Sequence, residues 1–168
     1  MSLDNVRWGG SAGVVAAVLF VLAGILILLI TPPQRVFHSF SDYLIEVILV
    51  VAFALTLVAI AGLHTLHLQS ERYGRLGAAG SFISFIGYAL IVLVAAVSIL
   101  VGGEALFGVR LLGALAVLIG SILLGAMTLC ARVVPWWCGV LLIVGFPLGD
   151  IVDTLIGEGS EALVLGIL

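Results

Sequence analysis

Lysine is missing from this chain, and charge of either sign is scarce: six arginines and nine carboxylates in 168 residues. Charged side chains make up 9 % of the residues, against about 25 % in soluble domains. Such a chain cannot clothe a water-soluble surface. A formal charge of −3 leaves no basic patch to neutralise phosphates, which excludes a nucleic-acid binder. Cys130 and Cys138 are too few for a disulfide framework, and no Cys-x-x-Cys or zinc spacing occurs. Also missing are a Gly-rich phosphate loop, a Gly-x-Ser-x-Gly elbow and a His-Glu-x-x-His pair. No set of nucleophile, base and orienting group can be assembled, which weighs against an enzyme, and no cofactor is implied.

What remains is apolar. Hydrophobic residues reach 64 % and the mean hydropathy is +1.43. A helix needs about 20 apolar residues to cross the hydrocarbon core, and the spacing predicts helices over about 9–30, 42–68, 76–101 and 104–130. The first is too long for a signal-peptide core and lacks an Ala-x-Ala site, so it reads as a retained helix. It ends at Pro32-Pro33, and Ser39 or Ser41 can cap the second helix, with Asp42 in its first turn. A fifth segment, about 136–155, opens on the Trp136-Trp137 pair, a headgroup anchor, and is interrupted by Pro147, Gly149, Asp150 and Asp153. It either spans with a kinked polar end or stops near Phe146. The tail 156–168 is half a span at most. The expected fold is one all-α integral membrane domain over residues 1–168, a polytopic transmembrane bundle of about five spans, with four or six left open. Arg7, Arg72, Arg75 and Arg132 collect on one side and Arg35 and Arg110 on the other, which places the amino terminus in the cytoplasm.

The second helix organises the rest. At about 100° per residue, with Glu46 as zero, Asp42, Thr56, His64 and His67 all fall within an arc of about 80°. One face of this helix therefore avoids lipid. The third helix repeats the pattern with Ser81, Ser84, Tyr88 and Ser98 beside Gly77, Gly80 and Gly87. The fourth does so with Arg110, Ser121 and Thr128, flanked by Gly113, Gly120 and Gly125. Three seamed helices should face one another with the first outside them. Close packing through small residues and interhelical hydroxyl bonds explains most of each seam. The rival explanation is a polar pathway or small-ligand pocket, and it leans on charge. Glu46 and Arg110 lie about one turn inside the same membrane side, and a lone charge in lipid costs several kcal/mol. They are expected to form an ion pair, unless both side chains snorkel to the headgroups. The candidate polar site is thus Glu46, Arg110, Ser81, Ser84, Tyr88 and Ser121.

His64 and His67 share a helix face at a spacing that can hold one metal, but further ligands are wanting and no metal is expected. Histidines at a helix carboxyl end more often complement the dipole.

The connection Gly62-Leu63-His64-Thr65-Leu66-His67 through Tyr73-Gly74-Arg75-Leu76-Gly77 resembles that of small, uncharacterised multi-pass proteins of bacterial inner membranes. Val134-Pro135-Trp136-Trp137-Cys138-Gly139 resembles their P-x-W-x-G entry to a later helix. The likeness spans roughly residues 50–145 and implies a bacterial cytoplasmic membrane and no known activity. The leading functional reading is a membrane protein that binds or passes a small solute or ion along a polar interhelical seam. A structural or assembly subunit is the second, supported by the small-xxx-small face Gly9, Gly13 and Ala17. A redox or cofactor-binding membrane protein is the third. The partners implied are the lipid bilayer and, in the second reading, further copies of the chain or partner subunits.

Overall fold

A computed structural model describes residues 3–30, 40–68, 74–101 and 106–145. They form α1 (Leu3–Ile30), α2 (Phe40–His67), α3 (Gly74–Val101), α4 (Phe107–Ala131) and α5 (Trp136–Gly145), with no strand among them. The first four are long and apolar enough to cross a membrane, and the protein is an all-α helical bundle of the integral membrane class. At 1.5 Å per residue the ten residues of α5 reach about 15 Å, half a hydrocarbon core. The remainder of the expected fifth span and the tail 156–168 lie outside the described residues.

Local chemistry accounts for the helix ends. Each long helix is dominated by Leu, Ile, Val and Ala, and inside a bilayer only intrahelical bonds can satisfy its backbone. α1 begins at Leu3, six residues earlier than expected, because the polar Asp4-Asn5 start continues the same helix. Ser41 lies inside α2, which starts at Phe40, so it is not the N-cap; Asp42 does occupy the first turn. α3 begins on Gly74 at φ 57, a left-handed conformation that glycine adopts without steric cost. α4 starts after Leu106 and stops at Arg132, both non-glycine residues at positive φ (55 and 53).

Packing joins neighbours in the chain: α1 with α2, α2 with α3, α3 with α4. All three pairs are antiparallel, as short connections require. The tightest contacts are made by glycine. A Cβ on Gly9 would come 2.6 Å from the Gly62 Cα, and one on Gly13 would come 3.4 Å from the Ala59 Cβ. Further along, Ala16, Phe20 and Ala52 close the α1–α2 contact, with the Phe20 and Phe53 rings edge to face at 4.9 Å. Gly9 and Gly13, read from sequence as a face for self-assembly, are therefore seated on α2.

α3 and α4 interlock more closely still. A Cβ on Gly80 would meet the Leu124 nitrogen at 2.8 Å, and one on Gly87 would meet the Val117 nitrogen at 2.6 Å. On Gly120 it would run into the backbone nitrogen and Oγ of Ser84. α5 folds back on α4 through Gly125 and Gly139, where an added Cβ would meet the opposing glycine oxygen at 2.7 or 2.8 Å. α2 lies over this hairpin: Ile60 packs with Leu124, bordered by Leu63, Tyr88, Met127 and Leu142. α2 reaches α4 through Ile60 and Leu124, while α1 packs on α2.

Candidate functional site

Glu46 sits six residues into α2 and Arg110 three residues into α4, depths of about 9 and 5 Å below their helix starts. Both line one narrow cleft. α2 supplies Glu46, Leu49 and Phe53; α3 supplies Ile91, Val94, Ala95 and Ser98; α4 supplies Arg110. The cavity volume is about 20 Å³, and a water needs roughly 10–15 Å³ on this measure, so the cleft has room for about one. Two charges and one hydroxyl thus converge on an otherwise apolar wall.

The position of Arg110 on α4 bears on its electrostatics. Arg110 falls in the first turn of α4, and that turn carries no acid. A helix amino terminus bears about half a positive charge, so a cation there is disfavoured unless a carboxylate from elsewhere faces it. The acid on the cleft wall is Glu46, half-buried at the edge of α2. Arg110 itself is exposed, so its long stem can move between the cleft and the headgroup layer.

The remaining candidates are distributed elsewhere. Ser81, Ser84 and Ser121 are buried and none lines the cleft; Ser84 lies in the α3–α4 contact, against Gly120. Ser121 donates back to the Leu118 carbonyl at 3.0 Å, and Thr128 to that of Leu124 at 2.8 Å. Ser84 Oγ is buried with no hydrogen-bond partner among the described residues, pressed against Gly120. Tyr88 stands in an aromatic row, its ring 6.0 Å from that of Phe53, which is itself packed on Phe20. Ser98, part of the third-helix seam but outside the core set of candidates, is the hydroxyl that reaches the cleft. Its angular position gave the signal; only the crossing of three helices shows the depth.

His67 is fully buried at the end of α2, with Nδ1 2.7 Å from the Leu63 carbonyl. A carbonyl only accepts, so the ring carries its proton on Nδ1 and donates it there. His64 remains half-buried one turn earlier. Among the described residues no three His, Cys, Asp or Glu side chains gather into a group that could hold a metal. Cys130 is exposed and Cys138 half-buried, both as free thiols.

Comparison with protein-family models, with curated proteins and with solved structures finds no match. The functional reading rests on the geometry.

Proposed function

We propose that this integral membrane protein binds a proton or a small cation at the Glu46–Arg110 cleft and moves it along the polar face of α2. The observation that carries the reading is the convergence of Glu46, Arg110 and Ser98 on one cleft of about 20 Å³. A cavity that holds about one water accommodates a proton or a single desolvated cation and rejects organic solutes.

The α3–α4 seam is a poor route. Ser84 is pressed against Gly120 there, and the glycine contacts leave no gap for a Cβ, let alone a solute. The α2–α3 contact is the sparsest of the three, and the polar residues Asp42, Glu46, Thr56 and His64 follow α2 across the membrane. Beyond Glu46 the way is closed by the cluster of Ile60, Tyr88 and Leu124. Movement past it requires α2 to shift against the α3–α4 hairpin, across the sparsest of the three helix contacts. In the resting state Arg110 balances the Glu46 carboxylate; an arriving cation replaces it, and the guanidinium withdraws to the headgroups.

The test is flux into proteoliposomes under an imposed gradient, followed with an entrapped pH- or cation-sensitive dye. The wild type conducts, and Glu46→Gln falls to the rate of protein-free vesicles. Equal rates for the two proteins reject this role for Glu46.

A further inference from the structure

α4 ends at Ala131, the last residue of its membrane-spanning stretch, and the chain turns away at Arg132. Arg132 adopts φ 53 and ψ 29 and donates its backbone N–H to the Thr128 carbonyl at 3.2 Å. Helices commonly close with this left-handed residue, and glycine is the usual choice because a side chain is strained there. Here the position carries the longest cation available. Three residues on, Pro135 lets α5 begin at Trp136.

Between the two helices lies a niche of about 470 Å³, lined by Leu129, Arg132, Val134 and Trp136. That volume falls within the range of about 300–1,000 Å³ found for ligand clefts. Its walls offer one guanidinium, one indole N–H and two aliphatic side chains, and among the described residues no carboxylate. Arg132 and Trp136 are both exposed.

We infer that this niche holds the headgroup of an anionic phospholipid. Arg132 directly follows α4, a helix long and apolar enough to span, and Trp136 opens α5, the residue types and position that suit the headgroup boundary. A guanidinium binds a phosphodiester through paired N–H donors, and basic niches at helix ends take acidic lipid headgroups. Leu129 and Val134 suit the start of an acyl chain, which a free inorganic anion lacks. A choline headgroup would bring a second cation towards Arg132, so the charge selects an anionic lipid over a zwitterionic one.

Native mass spectrometry of the full chain, offered equimolar phosphatidylglycerol and phosphatidylcholine in detergent, tests this. The wild type retains phosphatidylglycerol several-fold over phosphatidylcholine. Arg132→Gln abolishes the preference. Arg132→Gly abolishes it too while raising the thermal midpoint, because glycine relieves the left-handed turn; loss of lipid is then separated from loss of fold. Arg75→Gln, an exposed arginine in the first turn of α3, keeps the preference. The inference is overturned if Arg132→Gly retains the selectivity, or if Arg75→Gln loses it equally. Displacement of phosphatidylglycerol by an equal concentration of inorganic phosphate would overturn it as well, marking a site for free anions.

Discussion

At the scale of single residues, glycine sets the closest helix contacts, and charge is confined to a few positions. Ser84 and Gly120 illustrate the first point. Gly120 has no Cβ because the Ser84 nitrogen and Oγ occupy the space one would need. Gly120→Ala should therefore cost about 1–3 kcal/mol, the usual penalty for overpacking. Gly108→Ala, on the same helix with nothing within 4 Å of an added Cβ, should be neutral or gain up to about 1 kcal/mol from helix propensity. Unfolding in mixed detergent micelles compares them, and equal effects would contradict the close contact. That these residues line a seam was legible in the sequence, because small and polar positions recur along one angular stripe. Which glycine meets which residue was not, since the meeting depends on the relative depth of two helices. The left-handed turn at Arg132 left no sequence trace either, as glycine would have marked it and arginine does not.

At the scale of elements, apolar runs made the four long helices readable to within a few residues at most ends. α1 was the exception: an apolar count discards Asp4 and Asn5, yet the helix includes them. Its small-residue face was also legible as an interface, but the partner was misassigned. Gly9 and Gly13 meet Gly62 and Ala59 of α2, and Gly62 had been read only as part of a connecting motif. Two cysteines placed at Gly13 and Ala59, in a Cys130→Ser/Cys138→Ser background, should close an intrachain disulfide under mild oxidation. An added Cβ at Gly13 lies 3.4 Å from that of Ala59, close to the 3.5–4.5 Å that a disulfide spans. A shift to faster migration of the monomer on non-reducing gels is the expected result. A crosslinked dimer would return the α1 face to an assembly role.

At the scale of the whole molecule, two tight hairpins, α1–α2 and α3–α4, meet along a sparser α2–α3 contact. The sequence placed the polar faces of α2, α3 and α4 towards one another. It did not divide them into a closed seam between α3 and α4 and an open cleft against α2, because that division follows from helix crossing and not from periodicity. A cleft among the described residues unites charges from α2 and α4, Glu46 and Arg110, and the functional reading depends on their acting together. A double-mutant cycle measures this directly: Glu46→Gln, Arg110→Met and the combined variant, each scored for stability in detergent. If the two charges compensate each other, either single change strands the remaining one, and the double variant loses less than either. A coupling energy of at least about 0.5 kcal/mol is expected. Strictly additive losses would mean that Glu46 and Arg110 point to separate surroundings, and the shared site would have to be abandoned.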